Sequence, residues 1–395
     1  MANSRQYSLT LFGATGFTGG LCADYLGEHL PDRVSWAIAG RDPQKLQAVV
    51  ARLKQANVPN LPAIIVADVG NQASLETMAA ASKVIITTVG PYVWYGEPLV
   101  QACVEHGTHY CDLTGEPEFV NNMISRYDEQ ARNRGAAIVN CCGFDSIPHD
   151  AGALFTVRAL EALCDGDLQG QVKLEGVVSA SGTFSGGTWQ SALTAFGRPQ
   201  ENRAAMRHAR HVLDAVWPAT ARLLPMRPRR DAGFGGWLCP MPTIDPFMVV
   251  RSARALGYAD DFRYGHFLLA GSLPKLVGGV AGVSGLLLAA QLRFLRERLL
   301  RLRQSGDGPS AERRAASWFR VHFRGSANGR VVETEVTGGD PGYDETAKML
   351  AETAMALALY SGLPRRTGVV TPVMAAEDRL IERLQAAGIE FRVIR

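Results

Sequence analysis

Leu9-Thr10-Leu11-Phe12-Gly13-Ala14-Thr15-Gly16-Phe17-Thr18-Gly19 is the stretch on which the fold turns. Tyr7, Leu9 and Leu11 are apolar at period two and Phe12 closes the run, which predicts a buried strand; Gly13 then turns the chain into a helix. With no Cβ at Gly13 or Gly16, the backbone N–H groups over Gly13, Ala14, Thr15, Gly16, Phe17 and Thr18 can approach a pyrophosphate at the positive end of the helix dipole. Gly19 lets that helix pack close to the sheet. The spacing is GxxGxxG rather than GxGxxG, a weak signal alone, so the residues that follow must carry the assignment.

They supply what a dinucleotide site needs next. A helix continues over 21–26, a strand is predicted over 34–39, and Gly40-Arg41 stand at its end, where an acid would accept hydrogen bonds from the 2′-hydroxyl of NAD. Arginine cannot accept one, but it pairs with a 2′-phosphate and stacks on adenine, so Arg41 points to NADP. The plainer alternative is that Arg41 only solvates a strand end. Asp42 and Pro43 start a helix with Leu46, Val49, Val50 and Leu53 on one face, and a third strand over 63–66 leads to Asp68-Val69. Asp68 either sits beside the adenine amine or caps the helix from Asn71, and the sequence leaves both open.

Residues 84–89 form a continuous apolar run, the mark of a parallel strand covered on both faces. Ligands of such sheets lie beyond the carboxyl ends of the strands, which puts Thr88, Val89, Gly90, Pro91 and Tyr92 beside the cofactor. A helix over 99–103, a strand over 109–113 carrying Asp112, Thr114-Gly115-Glu116, a helix over 118–134 and a strand over 136–141 continue the alternation. It predicts a doubly wound parallel α/β sheet of the Rossmann type. Gly143-Phe144-Asp145-Ser146-Ile147-Pro148-His149-Asp150 leaves the last of these strands toward the same crevice or caps a helix from Ala151. Three crevice groups are candidate proton donors, Tyr92 first and Tyr95 and Asp145 as alternatives; Tyr92 equally well packs a ligand face.

The pattern changes near 145–150, so a nucleotide-binding domain over 1–148 and a second α+β domain over 149–339 are expected. In the second, 172–181 alternates as a half-wet strand, and Ser185-Gly186-Gly187-Thr188 opens a helix through Trp189 and Leu193. Residues 218–246 read as long loops. Trp318 and Arg330 begin two alternating runs around Ser326-Ala327-Asn328-Gly329, a hairpin signal. Helices are predicted over 343–359 and 376–386.

Composition narrows the class. The 395 residues exceed one ordinary core, 47% are hydrophobic as in a globular protein, and a net charge of +3 excludes a general affinity for nucleic acid. Seven cysteines without metal spacing suggest reduced thiols in a cytoplasm, and no metal site is expected. No export signal precedes the first strand. Residues 276–292 carry no charge, and Arg293, Arg296, Arg298, Arg301 and Arg303 follow among leucines. Gly278, Gly279, Gly282 and Gly285 predict a poor helix there and argue against a membrane span. The segment is either a buried core or dimer element or an apolar tunnel wall whose arginines attract an acidic acyl carrier protein or an anionic membrane surface.

GATGFTG, AGR from Ala39, TTVGPYVWYGEPLV from Thr87, YCDLTGE from Tyr110 and CGFDSIPHD from Cys142 resemble the saccharopine-dehydrogenase-like oxidoreductases. FSGGT from Phe184, GDPGY from Gly339 and GVVTPV from Gly368 resemble, within them, the trans-acting enoyl reductases of polyketide-type acyl chains. The resemblance spans the chain nearly end to end. It implies NADPH as hydride donor and a C-terminal segment, 340–395, that packs back on the first domain; it leaves the catalytic groups undefined. The crevice stretches 90–95 and 143–147 hold no Arg or Lys to clamp a dicarboxylic amino acid, although Arg198, Arg203 or Arg251 could reach in. The reading is an NADPH-dependent reductase of an activated C=C bond in an acyl substrate, small or carrier-bound. The alternatives are a C=N reductase of an amino-acid imine and a non-catalytic NADP-binding peripheral membrane protein. A homodimer in the cytoplasm, with a peripheral place on the inner membrane surface as an option, completes the expectations.

Overall fold

The alternation of apolar strands and one-faced helices produces, in a computed structural model of the chain, an all-parallel sheet. Its strands are β1 (Tyr7–Phe12), β2 (Trp36–Gly40), β3 (Ala63–Val66), β4 (Ser82–Thr87), β5 (His109–Asp112) and β6 (Ala137–Val139). The structure describes residues 5–168, 170–181, 193–194, 197–218, 220–241, 243–301 and 308–395; the start of the helix predicted from Ser185, the whole of Arg303 and the side chains of Arg293 and Arg301 lie outside the description. The second sheet contains β7 (Gln171–Ser181), β8 (Ala221–Leu223), β9 (Arg229–Asp231), β10 (Gly236–Pro240), β11 (Asp261–Ala270), β12 (Trp318–Ala327) and β13 (Arg330–Gly338). Two strands from the tail, β14 (Gly368–Val370) and β15 (Glu390–Val393), are divided between the sheets. The first sheet runs β14-β6-β5-β4-β1-β2-β3, so the chain reverses direction between β1 and β4, the switch point that opens a ligand crevice. The second runs β15-β13-β12-β7-β11-β10-β9, with β8 also on β11.

The tail therefore clasps both sheets. Its helix Asp344–Leu359 is lined by Ala347, Ala351, Ala354 and Ala358, small enough for close approach to helix Phe17–His29, and Tyr25 donates to Glu352 at 2.6 Å across that contact. Glu352 is itself paired with Arg383 at 2.6 Å, so the buried acid is neutralised within the tail. Further on, Arg251 of helix Asp245–Leu256 donates to the Val369 carbonyl at 2.8 Å, and Ser252 joins Asp150 at 2.7 Å to Thr371 at 2.6 Å.

Several elements differ from the sequence expectation. β6 stops at Val139 rather than continuing to 141, because the Asp112 carboxylate takes the Cys141 N–H at 3.0 Å and draws that residue to φ +63°. The following helix, Ile147–Leu163, starts earlier than Ala151. Residues 218–246 hold three short strands that pair on the long β11 and its neighbour, which supplies the backbone partners their Pro- and Gly-rich sequence cannot advertise. The final helix breaks at Glu377, φ +48°, into Pro372–Ala376 and Asp378–Ala386. Most consequential, Leu273–Gln291 is a continuous helix despite its glycines, with mean hydropathy 1.6 over its apolar window, long and apolar enough to cross a membrane. Each glycine costs about 1 kcal/mol, but the intervening leucines and alanines are strong helix formers. It lines no tunnel among the described residues: only 12% of its apolar window is buried, and Val277, Val280 and Leu288 are exposed.

Candidate nucleotide site and crevice

The glycine turn is built as a cradle from which side chains are excluded. Gly13 sits at φ +94°, and a Cβ there would lie 2.7 Å from Thr88 Oγ1 and 2.9 Å from Val89 Cγ2. One on Gly19 would lie 2.1 Å from the Gly13 carbonyl oxygen. Thr88 closes the arrangement by donating to that same oxygen at 3.2 Å. Gly16 is the N-cap of helix Phe17–His29 and no side chain caps it; its own N–H donates to the Gly13 carbonyl at 3.0 Å, which leaves the N–H groups of the first turn that follows without a side-chain acceptor. Ala14 is buried beneath the turn, and the Phe17 ring is held outside it by Tyr343, 4.9 Å between centroids, and by the Arg314 guanidinium, 5.5 Å from the ring centre. An uncapped, glycine-lined helix terminus is the fit a pyrophosphate requires.

At the end of β2, Arg41 is exposed and pairs with no acid among the described residues; its neighbour Asp42 is committed to capping, accepting from Gln44 at 3.0 Å and Lys45 at 3.1 Å. Beyond β3 the cap belongs to Asn71, which accepts from the Ser74 N–H at 3.2 Å, while Asp68 uses one oxygen to hold the Gly70 N–H at 2.7 Å beside half-buried Val69. Arg41→Ala is expected to weaken NADPH binding about ten- to hundredfold, the worth of a charge-assisted pair of about 1.5–3 kcal/mol, and to leave NADH binding nearly unchanged. Dissociation constants for both cofactors, measured on both proteins, check this; an equal loss for NADH would contradict it.

The crevice wall beyond β4 is held by an acid the sequence reading quoted only as part of a motif. Glu116, buried after β5, accepts from the Tyr92 N–H at 3.0 Å and the Val93 N–H at 2.8 Å, clamping the turn Gly90-Pro91 and the short helix Tyr92–Tyr95. This geometry changes the order of the proton-donor candidates. Tyr92 is only 4% exposed, its hydroxyl donates to the Thr87 carbonyl at 3.0 Å, and burial pushes its pKa far up. Its phenol is a wall member rather than an available acid, which corrects the expectation placed on it. Tyr95 is 45% exposed beside Trp94 at 54%.

Asp145 is placed differently. It follows β6, is half-buried, and rests over the loop after β5 so closely that a Cβ on Gly115 would meet its Oδ2 at 3.1 Å. It has no hydrogen-bond partner among the described residues, and burial raises its pKa. Asp112, at the end of β5, is spent on structure: it accepts from Thr114 and Cys141 N–H groups at 3.0 Å and from Asn140 at 2.7 Å, and burial still lifts its pKa to about 6.

Of the arginines that could clamp a dicarboxylate, two are occupied. Arg198 makes a two-pronged pair with Glu118 at 2.8 Å and lies 5.0 Å over Trp94, and Arg251 is buried on the Val369 carbonyl. Only Arg203 is exposed. The sequence reading also missed a buried trio, His149, Asp245 and His266, because its members stand on three elements separated by loops and strands and show no motif spacing.

Sheet order, glycine cradle and Arg41 together define an NADP-binding oxidoreductase with a Rossmann sheet and a second α+β unit. Comparison with known proteins agrees. Residues 9–139 match the family model described as the saccharopine dehydrogenase NADP binding domain. A Mycobacterium tuberculosis protein provisionally named a trans-acting enoyl reductase is 36% identical, over 100% of this chain and 99% of that one. The human saccharopine dehydrogenase-like oxidoreductase is 31% identical over 99% of this chain and 98% of its own. In fold, the chain superposes on saccharopine dehydrogenase (L-Glu forming) from Saccharomyces cerevisiae with a TM-score of 0.55 at 14% identity, covering 98% of this chain and 99% of that one. The chain belongs to the saccharopine-dehydrogenase-like oxidoreductases, and its cofactor is NADP.

Proposed function

We propose that this oxidoreductase reduces the activated C=C bond of an acyl thioester, with Asp145 as proton donor. The observation that carries the reading is the crevice itself: an available acid, exposed aromatic rings at Trp94 and Tyr95, and two of the three candidate arginines, Arg198 and Arg251, already paired elsewhere. That chemistry suits an uncharged acyl chain better than a dicarboxylic imine, and a relative named for enoyl reduction is in accord with it. NADPH held by the glycine turn and Arg41 would supply the hydride for the β-carbon. Asp145 gives its proton to the α-carbon, which would otherwise carry the charge as an enolate, and its partial exposure lets solvent reload it. Glu116 and Tyr92 keep the wall rigid while this happens.

The exposed helix Leu273–Gln291 and the basic helix Arg293–Arg301 extend the reading to the source of the substrate. An apolar helix followed directly by arginines matches the apolar layer and anionic headgroups of a membrane surface. Cosedimentation with vesicles containing anionic lipid should be strong at low salt and weak at high salt, and Arg293→Glu, Arg298→Glu and Arg301→Glu together should abolish it. NADPH oxidation should be detected with enoyl thioesters and should rise with chain length. Turnover of amino-acid imines but not of enoyl thioesters would overturn the C=C assignment. Failure of the wild type to bind anionic vesicles, with a dimer hiding the helix or an acyl carrier protein bound instead, would overturn the membrane assignment.

A further inference from the structure

His149, in the first turn of helix Ile147–Leu163, Asp245, which opens helix Asp245–Leu256, and His266, on β11, converge at the junction between the two sheets. All three side chains are buried, at 0%, 2% and 0% exposure. His149 Nε2 lies 3.1 Å from Asp245 Oδ1 and His266 Nε2 lies 3.8 Å from Asp245 Oδ2, and the three potential ligand atoms all fall within 4.8 Å of one another. Yet His149 Nε2, His266 Nε2 and Asp245 Oδ1 make no hydrogen bond among the described residues. A buried polar atom left unpaired costs about 1–3 kcal/mol, and three aimed at one another repeat that cost around a single point.

We propose that His149, Asp245 and His266 bind a divalent transition metal, zinc by ligand class. Metal–ligand bonds of about 2.0–2.2 Å in tetrahedral geometry place ligand atoms roughly 3.3 Å apart; His149 Nε2 and Asp245 Oδ1 meet this at 3.1 Å, and the set as a whole, within 4.8 Å, would contract on binding. Two imidazoles and one carboxylate favour zinc over magnesium or calcium, which prefer all-oxygen shells. Two of the three ligands have the outer contacts such ligands use, while His149 Nδ1 has no hydrogen-bond partner among the described residues. Tyr264 Oη lies 3.2 Å from His266 Nδ1, so a proton on Nδ1 leaves the Nε2 lone pair free, and the Thr243 hydroxyl donates to Asp245 Oδ2. Burial holds both imidazoles in the neutral, ligating form, His266 down at about 3. The site pins the helix that follows the nucleotide sheet to β11 of the second sheet. It is independent of the C=C assignment, since a structural metal there serves any reaction in the crevice.

Elemental analysis of the untagged protein tests this, followed by chelation and zinc titration monitored by thermal unfolding. The expected result is one zinc per chain, and after removal a rise in Tm of about 3 °C when free zinc reaches a hundredfold excess over its Kd. His266→Gln should bind no zinc and show no such rise. Should that variant fail to fold, cobalt(II) substitution of the wild type decides: tetrahedral absorption without thiolate charge-transfer bands supports the trio, whereas thiolate bands locate the metal on cysteine and overturn it. A protein that neither retains zinc nor shifts its Tm on adding it, or a folded His266→Gln that binds zinc equally, also overturns it.

Discussion

Asp145→Asn is expected to lower turnover with an enoyl thioester by about 10²–10⁴-fold, the range that a positioned general acid contributes, while NADPH affinity stays unchanged. Asparagine keeps the shape that rests over Gly115 but has no proton to give, so the loss should fall on kcat rather than on binding. Because burial raises the Asp145 pKa, the acid form persists further toward neutrality than in an ordinary aspartate, and the wild-type rate should fall as pH rises through that raised value. The variant should lose this limb of the pH profile. Tyr92→Phe, by contrast, removes a hydroxyl bonded to the Thr87 carbonyl and should cost stability of about 1 kcal/mol with little change in turnover. Normal turnover in Asp145→Asn with an intact pH profile, or a collapse of turnover in Tyr92→Phe, would reverse the assignment.

Gly19→Ala is expected to reduce NADPH affinity by roughly 100-fold or more and to destabilise the nucleotide domain by about 1–3 kcal/mol, the usual cost of overpacking. The added carbon would sit 2.1 Å from the Gly13 carbonyl oxygen, 2.8 Å from the Gly13 carbonyl carbon and 2.8 Å from Thr88 Oγ1. Backbone atoms cannot rotate aside as a flexible side chain can, so helix Phe17–His29 must lift from the turn, and the uncapped N–H groups of its first turn, proposed here to hold the pyrophosphate, move with it. Gly278→Ala is the matched control. Nothing lies within 4 Å of its added Cβ, and the helix should gain slightly in stability with no effect on NADPH. Isothermal titration and thermal unfolding of both variants check the pair; an unaltered Kd in Gly19→Ala would show that the cradle tolerates helix displacement.

Much of the nucleotide half was legible in the residues because its determinants are local. The continuous apolar run at Val84, Ile85 and Ile86 reads as a strand covered on both faces, and it is one, since only a central parallel position buries both sides. Gly13 requires a left-handed turn and adopts it. Arg41 stands where β2 ends because strand length and the Asp42-Pro43 cap are both written in sequence. The helix Leu273–Gln291 shows where the same reasoning fails: propensity weighed the glycines, but the surrounding leucines and alanines prevailed. Short strands β8 and β10 were illegible because their pairing partner, β11, lies tens of residues away, and β9 because it pairs only on β10 once that strand is in place.

By itself, then, the sequence determined the order of strands and helices in the nucleotide half, the glycine turn after β1, the NADP cofactor and the family. Each depends on a residue type acting within a few positions of itself. Only the tertiary structure decided that Tyr92 turns its hydroxyl into the wall while Asp145 keeps a free carboxyl, that Glu116 clamps the turn, and that Arg198 and Arg251 are already paired. It alone brought His149, Asp245 and His266 together and split the tail between two sheets. The physical reason is that a side chain's protonation, exposure and partners are properties of the atoms packed around it, and those atoms come from distant parts of the chain.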